Sequence, residues 1–187
     1  MASSERKPAA GVLLIAPPML VEPNFRRAVV LLCEHGPEGS FGLILNRPLT
    51  LQLSEVMEEI HQYDAPLSLG GPVQPNTLHY LHRFGDRIPD ALSLPEDIYW
   101  GGDFDVLKVL IEEEPTTAQD LRFFLGYAGW SPGQLESEIE QGGWILSDTL
   151  NAFVFPEEAD NLWRTVLRHK GGEYAILANF PDDPRMN

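Results

Sequence analysis

Three short apolar runs near the amino terminus constrain the fold of this chain more than any other feature of its sequence. They occupy residues 11–16, 28–33 and 41–46, and the turn-forming residues 34–39 separate the second run from the third. Continuous apolar runs of this length are typical of strands that are covered on both faces. The sequence therefore predicts a buried strand at residues 11–16 and a β-hairpin over residues 28–46.

The rest of the chain mixes helical and extended patterns without a strict strand–helix–strand repeat. Apolar residues at helical spacing, bounded by capping and helix-breaking residues, predict helices at residues 53–61, between Asp103 and Pro115, from Ser131 to Gly142, and at residues 157–169. Further strands are predicted at residues 121–127, 144–146 and 174–178, and on both sides of the turn at residues 70–72. This order favours an α+β fold over a doubly wound parallel sheet.

The clearest helix start in the sequence follows Trp130. Ser131 stands at the cap position, and Gln134 three residues later completes a capping box. Trp130 and Leu135 stand where a hydrophobic staple would join the entering chain to the first turn of the helix. We therefore expect the Ser131 side chain to accept a hydrogen bond from the backbone amide of Gln134.

A chain of 187 residues with 43% apolar residues fits one domain with its own core. We expect a tail at residues 1–10, a single domain at residues 11–180 and a second tail at residues 181–187. The start of the chain is polar and lacks the apolar core of a secretion signal, and no apolar stretch approaches the roughly 20 residues that span a bilayer. The one cysteine, Cys33, lies in an apolar run and fits a buried side chain in a reducing compartment. These features predict a cytoplasmic protein without a membrane partner.

The charge balance limits the classes of partner. Lys and Arg number 13 and Asp and Glu number 28, so the formal net charge at pH 7 is −15. A field of that sign repels phosphate backbones and anionic lipid surfaces, and it suits basic or neutral partners. No basic recognition helix is visible, so we expect no direct nucleic-acid binding.

The common catalytic and metal-binding motifs are absent from the sequence. It contains no phosphate-binding glycine loop, no nucleophile elbow and no zinc-protease helix motif. His79 and His82 are three residues apart on a predicted strand, so their side chains would point to opposite faces. We therefore assign no catalytic residue, no metal ligand and no cofactor.

A polar set at the ends of the predicted hairpin forms the main candidate site. Asn24 and Arg26 precede its first strand, and Asn46 and Arg47 end its second strand, so the four should gather at one end of the sheet. Guanidinium and amide groups there could hold a carboxylate or a phosphate. Alternatively, the protein's own acids neutralise the arginines and the asparagines tie down turns.

Two weaker candidates accompany this set. Glu34 and His35 open the hairpin turn, where a carboxylate beside an imidazole could serve acid–base chemistry. Neighbouring strand residues face opposite ways, however, so each would need another partner. Gly70 and Gly71 could present backbone amides to an anion, or could simply supply positive φ in a turn.

Taken in order, several of these segments resemble the YqgE/AlgH family of small bacterial proteins. The matching segments are residues 11–17, 23–35, 42–48, 70–73, 126–130 and 133–136, with Trp163 in a late helix. The resemblance covers about residues 11–168, and its order and spacing are specific. It implies an α+β fold in which a mixed, bifurcated β-sheet curls into a pseudo-barrel with short helices packed on it.

The resemblance implies less about biochemistry. The family is often labelled a transcriptional regulator, through an association with alginate control, and no catalytic residues are established for it. The leading hypothesis is therefore a non-enzymatic regulatory or binding protein of the bacterial cytoplasm that acts through a protein or small-molecule partner. The alternative is an enzyme of unknown reaction, or a binder of anionic small molecules, at the Asn24, Arg26, Asn46 and Arg47 end of the sheet.

The charge of the chain leads to a first testable prediction. Because the net charge is −15, we expect the purified protein not to shift any DNA duplex in a sequence-selective way at physiological salt. An electrophoretic mobility assay with genomic fragments would check this. A sequence-selective, salt-sensitive shift at sub-micromolar protein would contradict it.

Overall fold

The computed structural model describes residues 6–182 of the chain. The strands in this part of the chain are β1 (Leu13–Ile15), β2 (Val29–Gly36), β3 (Gly39–Ile44), β4 (Pro48–Gln52), β5 (Pro66–Leu69), β6 (Val73–His82), β7 (Leu92–Leu94), β8 (Ile98–Trp100), β9 (Leu121–Trp130) and β10 (Ile145–Ser147). The helices are α1 (Leu53–Val56), α2 (Phe104–Glu113), α3 (Gln134–Glu140), α4 (Asn151–Val154), α5 (Leu162–Lys170) and α6 (Gly172–Leu177). Short 3-10 turns lie at Gly85–Arg87 and Ala159–Asn161. Of the two predicted tails, residues 1–5 and 183–187 lie outside the described residues.

The sheet divides at its central strand, β9. One edge of β9 pairs antiparallel with β6. Its other edge serves two partners, because residues 128–130 pair antiparallel with β3 while Phe124 and Leu125 pair in parallel with β5. One branch therefore runs through β3, β2, β1 and β10, and the other through β5 and β4, while β6, β8 and β7 continue the sheet on the far side. The predicted α+β fold with a bifurcated, curled sheet is confirmed.

Gly70 and Gly71 occupy the point where the two branches separate. The Gly70 amide donates to the carbonyl of Leu125, and the Gly70 carbonyl accepts from the amide of Ile44, both at 2.8 Å. A Cβ on Gly70 would lie 2.3 Å from the carbonyl oxygen of Gly126, and Gly71 is equally confined. Neither glycine has positive φ, so the alternative that the pair supplies positive φ in a turn is wrong. Glycine is needed here because two backbones approach each other closely.

The sheet curls until two of its corners almost meet. A Cβ on Gly11, before β1, would lie 2.2 Å from the Pro95 ring in the turn after β7, and Gly11 itself has a φ of +89°. The Thr149 hydroxyl donates to the carbonyl of Gly11, and the Asn151 amide donates to the carbonyl of Glu96 at 3.0 Å. The curled sheet forms a half-barrel, and these contacts nearly close it at this corner.

Residues 29–33 of strand β2 are buried on both faces, as the apolar run predicts. Leu31 faces an inner core that includes Trp163 of α5, whereas Leu32 faces a second core that includes Leu135 of α3. A third core packs α2, through Leu107, on the face of β6 and β9. Each leucine enclosed in this way contributes about 1.5–3 kcal/mol to the free energy of unfolding.

Two boundary predictions near the amino terminus are wrong. The hairpin strands extend to Gly36 and resume at Gly39, so only two residues form the turn that was expected at residues 34–39. Helix α1 ends at Val56 rather than at residue 61, because Met57 already has extended backbone angles. Of the apolar residues at helical spacing there, Leu53 and Ile60 are buried while Val56 is 41% exposed, and a loop rather than a helix carries Ile60 into the core.

The capping prediction at Ser131 is wrong in its detail. Helix α3 begins at Gln134, and Gly133 occupies the cap position with a φ of +75°. The backbone carbonyl of Ser131, not its hydroxyl, accepts from the Gln134 amide at 3.0 Å, and the Gln134 side chain accepts from the Ser131 amide at 3.0 Å. The left-handed glycine allows this turn, so the serine hydroxyl is not needed. Trp130 and Leu135 do share one buried cluster, as the staple predicts.

The carboxyl-terminal predictions are only partly correct. Helix α5 begins at Leu162 rather than near residue 157, after a 3-10 turn. The strand expected at residues 174–178 is helix α6. Tyr174 and Leu177 pack on the inner core while Ile176 is 67% exposed, which is helical rather than alternating spacing. A short apolar run does not distinguish the two structures by itself, and packing on α5 decides for the helix.

Arg122 of β9 ties the branches of the sheet together. Its guanidinium donates to the Leu45 carbonyl after β3 (2.8 Å), to the Ser68 hydroxyl in β5 (3.1 Å) and to the Val154 carbonyl at the end of α4 (2.6 Å). The side chain keeps some exposed surface, but protein atoms enclose its charged end, and this burial lowers the pKa of Arg122 to about 10. The guanidinium is therefore still charged at neutral pH, and neutral oxygen atoms alone accept its hydrogen bonds within residues 6–182.

We expect Arg122→Ala to lower the free energy of unfolding by about 3 kcal/mol, because two carbonyls and a hydroxyl lose their donor in an enclosed site. The exposed Arg83 gives a matched control, and Arg83→Ala should change stability by less than about 0.5 kcal/mol. Urea unfolding followed by fluorescence measures both. Equal stability of the two variants would contradict a structural role for Arg122.

Candidate functional site

A cavity of about 490 Å³ opens beside β6, where the chain leaves β8 and enters α2. We call it the aromatic pocket. Its lining residues are Val56, Met57, Asn76, Leu78, His79, Tyr80, Trp100, Gly101, Gly102, Phe104 and Leu125. Small-molecule sites are commonly concave, mostly apolar and about 300–1,000 Å³ in volume, and the aromatic pocket meets this description.

The wall of the aromatic pocket is held by hydrogen bonds between β6 and the two glycines after β8. The Tyr80 hydroxyl donates to the carbonyl of Gly102 at 2.5 Å, and His82 Nε2 lies 3.0 Å from the carbonyl of Gly101. Both glycines have positive φ, of +67° and +106°, so the chain can turn sharply from β8 into α2. The predicted cap at Asp103 is confirmed, since its carboxylate accepts from two amides in the first turn of α2.

The side chains that line the aromatic pocket are uncharged at neutral pH. Burial lowers the pKa of His79, and its Nε2 lies 3.0 Å from the Thr77 hydroxyl. Burial, with a smaller contribution from Asp103, raises the pKa of Tyr80 to about 12. The other lining side chains do not ionise. The carboxamide of Asn76 is exposed at the rim and can donate and accept hydrogen bonds.

A stack of partly exposed aromatic rings adjoins the aromatic pocket. The ring of Phe41 from β3 lies between Trp100 and Tyr127, with centroid distances of 4.6 and 4.5 Å. The imidazole of His79 meets the edges of Phe41 and Tyr127 at 5.2 and 5.7 Å. Four strands each contribute one ring, so this surface exists only in the folded sheet.

The structure brings the polar set at the end of the hairpin together around the backbone. The Asn46 side chain accepts from the Val29 amide at 2.9 Å and donates to the Arg27 carbonyl at 2.8 Å. The Arg47 guanidinium donates to the carbonyls of Asn46 and Arg26. Burial lowers the pKa of Arg47. Asn24 lies nearby in the exposed turn before β2. Binding of a ligand by these residues stays a prediction.

Arg27, next to this set, is neutralised by the carboxyl-terminal segment. Its guanidinium lies 2.8 Å from the Asp182 carboxylate and donates to the carbonyls of Phe180 and Pro181. It also lies 4.3 Å from the ring centre of Trp163. Within residues 6–182, by contrast, no carboxylate lies within 4.0 Å of Arg26 or Arg47.

Glu34 and His35 lie in strand β2 and have different surroundings, as expected for neighbouring strand residues. The His35 Nδ1 atom lies 2.8 Å from the Ser40 hydroxyl, and Nε2 lies 3.4 Å from the Glu136 carboxylate of α3. This order of hydroxyl, imidazole and carboxylate resembles a nucleophilic triad, but Ser40 does not line the aromatic pocket. The contacts of His35 therefore join α3 to the hairpin.

Within residues 6–182, no three His, Cys, Asp or Glu side chains gather as a metal site would require. No helix in the same range combines the length and apolar character needed to cross a membrane. Cys33 is 2% exposed, and burial raises the pKa of its thiol far above the usual value.

Comparison with known proteins identifies the family. A family model described as AlgH-like matches residues 13–175. The chain belongs to the AlgH-like family. The resemblance seen in the sequence is thereby confirmed, and the match extends beyond residue 168 into α6.

Relatives and solved structures of similar length support membership of the AlgH-like family. A UPF0301 protein of Chlorobium luteolum is 48% identical over 179 residues, which cover 96% of this chain and 95% of the relative. The crystal structure of protein DIP2367 from Corynebacterium diphtheriae is similar with a TM-score of 0.80 at 26% identity, and the match covers 94% of each chain. The solution structure of the AlgH protein from Pseudomonas aeruginosa has a TM-score of 0.71 at 29% identity, covering 97% of this chain and 99% of that chain.

Sequence inspection missed the aromatic pocket of this AlgH-like chain. The sequence pattern places Tyr80 in a predicted strand and Phe104 in a predicted helix, and it predicts no role for Trp100. One local signal was available, because the glycine pair at residues 101–102 follows an aromatic residue and directly precedes a capped helix. Such a pair predicts a sharp connection, but only the sheet shows which side chains surround it.

Proposed function

We propose that this AlgH-like chain is a non-enzymatic binding protein of the cytoplasm, with a regulatory role, that takes an uncharged, flat apolar group into the aromatic pocket. The observation that carries the proposal is the neutrality of that pocket in a chain of net charge −15. The group belongs either to a small molecule or to a side chain of a partner protein.

The chemistry of the aromatic pocket supports an apolar, planar group. Trp100, Phe104 and Tyr80 offer ring faces and edges, and Leu78 and Leu125 offer aliphatic surface. A charged ligand would lose its water and find no opposite charge on the lining, which costs several kcal/mol. The rim carboxamide of Asn76 and the imidazole of His79 can orient one polar atom of the ligand.

The same features support binding rather than catalysis. His79 and Tyr80 are the titratable side chains of the lining, and each has a hydrogen-bond partner within the protein. The pKa of Tyr80, about 12, is far from the value near 7 that suits proton transfer at neutral pH. No serine, cysteine or lysine lines the aromatic pocket to act as a nucleophile.

Composition supports the proposed location and partner class. A single, buried cysteine fits a reducing compartment such as the cytoplasm. The charge of −15 makes a regulatory role through a protein or a small molecule more consistent with the chain than direct contact with DNA.

Two dyes that differ by one charge test the proposal. We expect N-phenylnaphthylamine, which is neutral, to bind with a fluorescence increase and a dissociation constant at least about tenfold lower than that of anilinonaphthalene sulfonate. The rings of the two dyes are alike, so the difference reports the cost of placing a sulfonate in a neutral pocket of an acidic protein. Fluorescence titration at physiological salt measures both constants.

A pair of valine variants locates the bound dye. Val56 stands on the pocket rim and is 41% exposed, whereas Val109 on α2 is 52% exposed and lies outside the lining. Val56→Trp should fill the pocket and weaken binding of the neutral dye about tenfold or more, while Val109→Trp should leave it unchanged. Equal effects of the two variants, or tighter binding of the sulfonate, would sink the proposal.

A second candidate function rests on the two arginines at the end of the hairpin. The Arg47 guanidinium contacts the backbone carbonyl of Arg26, and neither arginine has a carboxylate within 4.0 Å in residues 6–182, although the chain has 28 acidic residues. An anion of carboxylate or phosphate chemistry would neutralise them, with Asn24 at the edge of the site. This retains the alternative of an anionic small-molecule binder, or of an enzyme acting on such a molecule.

Inorganic phosphate tests this second candidate. At a concentration about ten times its dissociation constant, phosphate should raise the melting temperature of the native chain by about 3–5 °C. Arg47→Ala should abolish the shift, and the control variant Arg83→Ala should keep it. Sodium chloride at equal ionic strength separates binding from screening. A shift that persists in Arg47→Ala, or no shift in the native chain, would rule the candidate out.

A further inference from the structure

A second cavity, of about 450 Å³, lies where the curled sheet stays open. We call it the edge groove, and it is lined by residues 33–39 of the β2–β3 hairpin, by Ala10 and by residues 92–94 of β7. It shares no lining residue with the aromatic pocket. The corner at Gly11 and Pro95 closes the half-barrel near one end of the groove, and the hairpin turn lies at the other.

Both long walls of the edge groove are strand edges without a partner strand. In the part of the chain that the structure describes, β7 pairs with β8 and with no other strand. Strand β1 pairs with residues 29–31 of β2, and backbone bonds continue only as far as Leu32. Beyond Leu32 the register shifts at Cys33, and residues 34–36 of β2 pair with β3 alone. Unpaired strand edges of this kind are templates for an added strand.

The side chains of the edge groove define the chemistry of that strand. Glu34 and Glu38 are exposed on the hairpin side, and the lining contains no lysine or arginine. Leu92 is 45% exposed, while Leu94 and Cys33 form the apolar floor. Because side chains of a strand alternate between faces, an inserted segment would place apolar residues on the floor and basic residues beside the carboxylates.

We propose that the edge groove binds an extended, basic segment of a partner protein, which adds a strand between β2 and β7 and completes the barrel. Two features favour this occupant over a second copy of the chain. Two copies of net charge −15 repel each other, and each would bring further acids to Glu34 and Glu38. The groove also has an unpaired strand edge on each side, so a single inserted strand would supply backbone hydrogen-bond partners to both edges.

The test uses the isotope-labelled full chain and a synthetic peptide of alternating valine and lysine with blocked ends. We expect the peptide to shift the backbone amide resonances of residues 33–36 and 92–94 in a saturable NMR titration. A peptide with the same side chains but N-methyl groups on alternate residues keeps the charge and loses edge hydrogen bonds, so it should bind about tenfold more weakly. A peptide with glutamate in place of lysine should not bind.

A matched pair of charge reversals tests the location. The double variant Glu34→Lys, Glu38→Lys should weaken binding of the valine–lysine peptide about tenfold. The double variant Glu112→Lys, Glu113→Lys on α2 makes the same change in net charge and should weaken binding of that peptide less than about twofold. Both double variants replace exposed residues, so both should fold, and their spectra report it directly.

Several outcomes would overturn the proposal. They are no saturable shift up to about 1 mM peptide, shifts centred elsewhere on the acidic surface, equal binding of the N-methylated peptide, and equal loss in the two double variants. Self-association of the native chain that the Glu34 and Glu38 reversals alter would instead assign the edge groove to a second copy. The aromatic pocket and its dyes are unaffected by any of these results, so the two proposals fail separately.

Discussion

The guanidinium of Arg122 is the interaction on which the divided sheet depends. It donates hydrogen bonds to the chain just after β3 in one branch, to the middle of β5 in the other branch, and to the end of α4. Where a sheet divides, backbone carbonyls at the division lose strand partners, and an enclosed carbonyl without a donor is costly. One planar group with several fixed donors supplies partners for two carbonyls and a hydroxyl. At the same division, Gly70 and Gly71 allow the backbones of the two branches to approach closely.

Dividing the sheet also creates the surfaces that could carry function. Because β9 gives one edge to two branches, the sheet curls without closing, and the edge groove lies where β7 and the end of β2 remain unpaired. The aromatic pocket lies elsewhere on the sheet, beside β6 and the start of α2. The two cavities differ in charge, since one is neutral and aromatic while the other carries exposed carboxylates. An apolar ligand and a basic strand would therefore use separate surfaces of the chain.

Features that depend on residues close together in the sequence were mostly predictable, and features that depend on residues far apart in the sequence were not. The buried hairpin was predictable because an apolar run of that kind must be covered whatever surrounds it, and the cap at Asp103 is local. The convergence of Asn46 and Arg47 with residues 26–29 followed from hairpin topology alone. The strand expected at residues 174–178 failed because Tyr174, Leu177 and Ala178 become neighbours only when α6 packs on α5. The serine cap failed because a left-handed glycine at residue 133 offered another route into α3.

The sequence by itself determined the class of the fold, the buried hairpin and the acidic surface. The order and spacing of its matching segments also indicated the AlgH-like family. These depend on residue type and on spacing along the chain, which any local pattern displays. Only the tertiary structure decided where the sheet divides, that Arg122 would be enclosed there, and which side chains would form the aromatic pocket and the edge groove. Those features join residues far apart in the chain, such as Leu45 with Arg122 and Cys33 with Leu94, and such pairings exist only after the sheet has curled.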